Sequence, residues 1–257
     1  MMSFVKRIRY YVFIMVCFMA GTIMTAQETE ARSYTSEVLN YQVVYHWGLI
    51  WKHAGNATLS IKNTGSGYQA RFYGTTISWA RTIYPVNDTL LCSMLYNFSP
   101  TKYQKLTHEG HFYGKDVVDF SYANNTTYGK CTVVRKDKPV KYVNLSSPGK
   151  AYDMVSVFYM LRSLDFDELS RNKVYTTVVF SGKRKENLSI RYKGVENVKL
   201  RDNSTHQAYH IVFTFTQDGR TKSSDDISAW MSTDAARIPL LLVGKLPVGE
   251  IKCYYAK

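Results

Sequence analysis

The sequence predicts an all-β fold: a single antiparallel sheet, barrel-like or strongly curved, with one short amphipathic helix near residues 153–164. Three observations carry this. Apolar and polar residues alternate with a period of two through most of the chain, which places successive side chains on opposite faces of a strand. Of the 21 tyrosines, Tyr10 and Tyr11 fall in an N-terminal apolar run and most of the rest lie in the alternating segments. Tyrosine suits a half-buried pleated surface because its body is apolar and its hydroxyl reaches water. Only one segment has helical periodicity: Met154, Val157, Phe158, Leu161 and Leu164 recur at steps of three and four.

Taken in order, Leu39, Tyr41, Val43 and Tyr45 alternate with Asn40, Gln42, Val44 and His46, and Ala57, Leu59 and Ile61 alternate with Thr58, Ser60 and Lys62. The cluster Asn63-Thr64-Gly65-Ser66-Gly67 marks a turn, after which 68–75 resume as strand. Further strands are expected at 88–95, 100–108, 110–113, 117–122 and 127–135, punctuated by Asn124-Asn125 and Lys136-Asp137-Lys138-Pro139. Pro148-Gly149 then precedes the helix, with Asp153 as its N-cap and Asp165-Phe166-Asp167-Glu168 as its end. Its apolar stripe is expected to cross or plug the sheet. Strands return at 174–181, 187–192, 195–200, 208–216, 226–232, 238–244 and 250–255, with Gly182-Lys183-Arg184 and Gln217-Asp218-Gly219 as turns. So many short strands without a linker or repeat point to one barrel or sandwich, interrupted only at 145–153.

The first 26 residues read as a secretory signal peptide: Lys6, Arg7 and Arg9, then an uncharged apolar run from Tyr10 to Ala20, then small and polar residues to Thr25-Ala26. The run is shorter than the roughly 20 residues a membrane span needs. Cys17 lies inside it behind Val16, which does not fit a lipoprotein signal. Residues 27–36 read as a flexible leader and 37–257 as a single β-rich domain. The expected location is therefore outside the cytoplasm, in the periplasm, peripheral to the outer membrane. The whole chain carries 33 basic and 20 acidic residues; without Lys6, Arg7 and Arg9 of the signal peptide the net is +10. The basic residues are scattered rather than gathered on one predicted face, which excludes a nucleic-acid footprint. Together with export, this favours an anionic lipid, lipopolysaccharide or other glycan, or an outer-membrane protein, as partner. Cys92, Cys131 and Cys253 allow three pairings or none, and no C-x-x-C spacing is present.

Three stretches resemble one bacterial family, DUF3108. They are Glu37-Val38-Leu39-Asn40-Tyr41-Gln42-Val43-Val44-Tyr45 with Gly55-Asn56-Ala57-Thr58-Leu59; Tyr152-Asp153-Met154-Val155-Ser156 with Tyr159 and Leu161-Arg162; and Ala229-Trp230-Met231-Ser232-Thr233-Asp234 with Arg237-Ile238-Pro239 and Val248-Gly249-Glu250-Ile251. The resemblance covers about 37–255 and implies an extracytoplasmic protein of Gram-negative bacteria with an antiparallel barrel-like sheet. It implies no activity and no catalytic residues. In the last stretch, Trp230, Asp234, Arg237, Pro239 and Gly249 read as a structural strand–turn–strand motif. The Asp234 carboxylate would accept turn amides and the Arg237 guanidinium would pair with it.

No catalytic constellation emerges. His108-Glu109-Gly110-His111 is one residue short of a zinc helix motif. His206 and His210 are four apart without a third ligand, and His46 and His53 flank Trp47 and Trp51 at what reads as a hairpin tip. Neighbouring Asp225 and Asp226 would face opposite ways on a strand, and there is neither a G-x-S-x-G elbow nor a glycine-rich phosphate loop. The sequence calls for no metal and no cofactor. The expected function is a non-enzymatic envelope protein that binds a ligand or assists assembly. The alternatives are a structural subunit of an envelope complex or a polysaccharide-acting enzyme.

Overall fold

The computed structural model describes residues 33–172, 174–220, 224–246 and 248–257; the signal-peptide reading of 1–26 lies outside them. The alternating segments form one 15-stranded sheet. Its first half is β1 (Ser36–Trp47), β2 (Ile50–Asn63), β3 (Tyr68–Thr76), β4 (Asn87–Met94), β5 (Pro100–Glu109), β6 (Phe112–Ala123), β7 (Thr126–Arg135) and β8 (Lys141–Pro148). Its second half is β9 (Ala151–Tyr152), β10 (Val174–Phe180), β11 (Lys185–Lys199), β12 (Thr205–Gln217), β13 (Ile227–Ser232), β14 (Pro239–Lys245) and β15 (Glu250–Ala256). Three short helices accompany them among the described residues: α1 (Ser78–Ile83), α2 (Ser156–Arg162) and α3 (Phe166–Asn172).

β1–β8 and β10–β15 are antiparallel meanders, joined by pairing of β1 with β15 in the register Tyr41–Tyr255 and Val43–Cys253, and the two-residue β9 pairs parallel with β10. The free ends of the sheet overlap instead of pairing. Phe180 of β10 stacks on Phe120 of β6 at 5.5 Å. A Cβ at Gly129 of β7 would come within 2.9 Å of the Phe180 ring, so a side chain there would push the two ends apart. The result is a nearly closed barrel. Bulges at Val43/Val44, Ser93/Met94, Tyr192/Gly194 and Trp230/Met231 add the local twist that curling requires.

Several elements differ from the sequence expectation. The segments 110–113 and 117–122 belong to one strand, β6, because the chain turns at Gly110 (φ 59°) and then runs straight. The segments 187–192 and 195–200 are likewise one strand, β11, since Gly194 (φ 121°) forms a bulge and not a turn. Strand β8 and helix α1 occupy stretches where no element was expected. The helix expected over 153–164 is present as the shorter α2, and a second helix, α3, follows it. Asp165, read as its end, caps α3: its Oδ1 accepts the amides of Asp167 and Glu168 at 2.8 and 3.1 Å. Tyr34, assigned to the leader, is only 5% exposed and packs edge-on against Tyr68, Phe98 and Tyr159.

Antiparallel order places the β1–β2, β3–β4, β5–β6, β7–β8, β12–β13 and β14–β15 connections at one end of the barrel, here termed the rim end. Helix α2 fills the opposite, plugged end. Nearly all its faces are buried, including Val157, Tyr159, Met160, Leu161 and Arg162. The amphipathic stripe expected from its sequence is therefore wrapped by sheet. A smaller apolar cluster of Val44, Val198, Leu200, Ala208, Leu240, Leu241 and Tyr254 packs on the outer face where two of the bulges reverse the side-chain pattern.

Candidate functional site

The three family-like stretches meet at the plugged end. The side chain of Arg162 is 0% exposed. Its Nη1 and Nη2 donate to Glu37 Oε1 and Oε2 at 2.5 and 2.8 Å, and its Nη2 and Nε also donate to the carbonyls of Ala236 and Arg237 at 2.8 and 3.1 Å. The rings of Tyr34 and Tyr159 lie 5.2 and 5.7 Å from the guanidinium. A buried guanidinium is tolerable only when its donors are met in this way. Arg162 thus ties β1, the plug helix and the β13–β14 corner into one unit. Its signal in the sequence is a lone charge inside a run of apolar helix positions.

The corner itself is only partly as expected. Asp234 Oδ1 accepts from the Ala236 amide at 2.9 Å and the Ser232 hydroxyl at 2.8 Å. Arg237, whose φ is 47°, does not pair with Asp234. Its Nη1 donates to the Thr233 carbonyl at 3.0 Å, and its guanidinium lies 4.5 Å from the Tyr209 ring and 5.2 Å from the Phe166 ring. Pro239 begins β14. Trp230 is on the outer face, stacked on His210 at 4.4 Å, with its indole donating to Glu196 Oε2 at 3.0 Å. That bond, and the one from His210, hold the Glu196 carboxyl below its ordinary range. Gly249 is remote from these residues, in the β14–β15 turn at the rim end.

Below the clamp, Asp153 caps the entry to α2. Its Oδ1 accepts the Val155 and Ser156 amides at 2.7 and 3.0 Å, and the Cys92 thiol donates to Oδ2 at 2.9 Å. Complete burial raises the Asp153 carboxyl despite these donors. Burial, and then Asp153 itself, push Cys92 well above the ordinary thiol value. Cys92, Cys131 and Cys253 are all free thiols.

The inner wall changes character along the barrel axis, and the change repeats strand by strand. In β1, Leu39 and Tyr41 are buried while Val43, nearer the rim, is half-buried. The same step occurs from Tyr68 and Ala70 to Phe72 in β3, and from Met94 and Cys92 to Leu90 in β4. It recurs from Ile211 and Phe213 to Phe215 in β12, and from Met231 and Ala229 to Ile227 in β13. The register confirms a shared face: Phe72 opposes Leu90, Ile227 opposes Gly244, and Leu242 opposes Cys253, which in turn opposes Val43. A Cβ built on Gly244 meets nothing within 4 Å. The plug fills the barrel from one end only, so the inner wall toward the rim is half-exposed, a well that is apolar on β1, β3 and β12–β15 but charged on β5 and β6, where Lys105 faces Leu90 on one side and Asp116 on the other. Burial pushes the Cys253 thiol on its wall up to about 11.

The other sequence candidates do not converge. His108 stacks on Tyr113 at 4.0 Å on the outer face. His46 pairs with Glu250 at 2.7 Å, His53 bonds to the Gly55 carbonyl at 2.8 Å, and His206 bonds to the Ser204 hydroxyl at 2.9 Å. Asp226 pairs with Arg191 at 2.6 Å. Asp167 and Glu168 lie in the first turn of α3. Near the rim, burial and the neighbouring Asp88 carboxyl raise Glu109. Among the described residues, no group of three or more His, Cys, Asp or Glu is placed to hold a metal ion. Among those residues, too, no helix is long and apolar enough to cross a membrane.

Comparison with known proteins gives a family and a fold. Residues 40–255 match the family described as "Protein of unknown function (DUF3108)", and the chain belongs to that family. No curated protein matches the sequence. Among solved structures, the fold is similar to that of a β-barrel-like protein of the domain of unknown function DUF1849 from Brucella abortus. The two are 11% identical with a TM-score of 0.62, over 88% of this chain and 98% of the other.

Proposed function

For this DUF3108 member we propose an exported, non-enzymatic envelope protein that holds the apolar part of an amphiphile, a lipid or lipid-linked glycan, in the well at the rim end. The carrying observation is the repeated step from buried to half-buried apolar residues on the inner wall. Each half-exposed Val, Leu, Ile or Phe leaves on the order of 1 kcal/mol of burial unrealised. Together they offer several kcal/mol to a guest that displaces water. The arrangement suits binding better than catalysis, since pockets for apolar ligands are concave and mostly apolar. No nucleophile and base meet there among the described residues. The positive net charge favours an anionic head group, and the N-terminal signal layout supports export.

Gly244→Val tests the reading. Its side chain enters open space on the well wall, at a strand position where a β-branched residue is favoured. The variant is expected to fold as stably as the parent yet lose a co-purified amphiphile in native mass spectrometry. It should also lose binding of an environment-sensitive fatty-acyl fluorophore. Equal fluorophore uptake by parent and variant, or none by either, would discard the proposal.

A further inference from the structure

We infer that the rim end docks on an anionic phospholipid bilayer, with the β1–β2 and β14–β15 turns as inserting tips. The inference rests on the amphiphile reading for its purpose but on separate residues. Exposed large apolar side chains crowd this end. Leu49 at the β1–β2 tip is 101% exposed, Trp47 is 54% and Val248 is 54%. Ile83 ends α1, Tyr84 follows it, and Phe112 opens β6, all of them exposed.

These turns form one surface. A Cβ on Gly249 would lie 2.4 Å from the His46 carbonyl and 3.0 Å from the Trp47 side chain, so the β14–β15 turn is pressed against the β1–β2 hairpin. On the hairpin's other side the Trp79 indole of α1 donates to the His53 carbonyl at 2.6 Å. The Tyr84 ring after α1 lies 3.4 Å from a Cβ built on Gly110, in the β5–β6 turn.

Cations are interleaved with the rings. Lys52 Nζ is 4.0 Å from the Trp79 ring and Lys252 Nζ is 4.4 Å from the Trp51 ring. The Glu250 carboxylate is bonded by His46 and Lys252. On the outer wall of the same end, a groove of about 300 Å³ is lined by His108, Tyr113, Lys115 and Lys136 among others. At the opposite end the turns Thr64-Gly65-Ser66-Gly67, Asn124-Asn125 and Asp202-Asn203-Ser204 are polar, and exposed apolar side chains are confined to Leu95 and Tyr96 in the β4–β5 turn among the turns of the described residues. Tryptophan and tyrosine beside lysine, on protruding tips, is the chemistry of a lipid–water interface, where rings sit at head-group depth and ammonium groups meet phosphates. Docking by the rim brings the mouth of the well to the leaflet.

The test is flotation of the purified protein with vesicles of phosphatidylethanolamine and phosphatidylglycerol, against vesicles of phosphatidylcholine alone. The anionic vesicles should bind it, weakening as salt is raised, with tryptophan emission shifted to the blue and quenched by brominated lipid. Leu49→Asp with Val248→Asp should reduce binding by about ten-fold or more, because two apolar anchors are lost and two anions introduced. Both sites are exposed, and an unchanged circular dichroism melt verifies folding. Gly244→Val must still dock, and the double aspartate variant must still take up the fatty-acyl fluorophore. In the parent protein, failure to dock with uptake present overturns the inference alone; failure of uptake with docking present overturns the amphiphile reading alone. Equal binding by parent and double variant, or a solution dimer that the double variant dissociates, would also overturn the inference.

Discussion

Glu37→Ala should be among the most damaging single substitutions in this protein, although its side chain keeps 21% exposure. The carboxylate receives two of the four hydrogen bonds made by Arg162, and both are charge-assisted. Bonds to charged groups contribute about 1.5–3 kcal/mol each, and removing one partner of a buried pair costs about 3–5 kcal/mol because the other charge stays buried. Water entering from the exposed side of Glu37 relieves part of this, which gives about 3 kcal/mol for Glu37→Ala and roughly half that for Glu37→Gln, where one oxygen can still accept. In a chain of this size, each kcal/mol lowers Tm by about 2–4 °C. Urea unfolding followed by tryptophan fluorescence reads the effect directly. Val38→Thr, on the neighbouring side chain that is 62% exposed, should shift stability by less than about 0.5 kcal/mol. A double change, Glu37→Met with Arg162→Met, should cost clearly less than the sum of the singles, since no charge is then stranded. If Glu37→Ala stays within about 0.5 kcal/mol of the parent, or the two singles add, the clamp is not what holds the plug.

Asp153 gives a pH prediction. Its folded-state carboxyl titrates above the unfolded value of about 3.9, so its favourable contribution is complete below that pH and is lost as pH rises through the folded value. The stability of the parent minus that of Asp153→Asn should therefore decline from pH 4 towards neutrality in urea titrations; a difference that grows with pH would contradict the burial argument. Gly249→Ala, at φ 77° with its new Cβ pressed on the His46 carbonyl, should lose about 2–3 kcal/mol by thermal unfolding. The same change at Gly65, φ 84° with nothing within 4 Å, should cost only the backbone strain of about 1–2 kcal/mol.

Most strands were legible because a half-buried strand needs little more than period-two alternation, and β4, β5, β7 and β12–β15 fall within three residues of the expected bounds. The misses have local causes. The bulge at Gly194 and the turn at Gly110 use the same residue type and positive φ, so the sequence does not separate an interruption within a strand from a break between two. Asp165 both follows α2 and caps α3, and an N-cap for one helix resembles a terminator of another when only Ser163 and Leu164 lie between the last turn and the next cap. For the site, Trp230, Asp234, Arg237 and Pro239 stood out as residues, but not their partners. Arg237 finds the faces of Tyr209 and Phe166, which lie far from it in the chain, in place of the nearby Asp234.

Alternation, turn chemistry and the one helical stretch by themselves determined an antiparallel, barrel-like sheet, because these depend on contacts between neighbours in sequence, while the family was read from the resemblance of three stretches. Only the tertiary structure decided how far the plug reaches. Where α2 stops depends on Glu37, Arg162 and the Ala236–Arg237 carbonyls meeting across the whole chain. That contact leaves Val43, Phe72, Leu90, Ile227 and Leu242 lining a well that no local pattern distinguishes from filled core. The same holds for the rim: Leu49, Ile83, Phe112 and Val248 read as isolated apolar residues in separate turns until β1 pairs with β15 and the turns close into one edge.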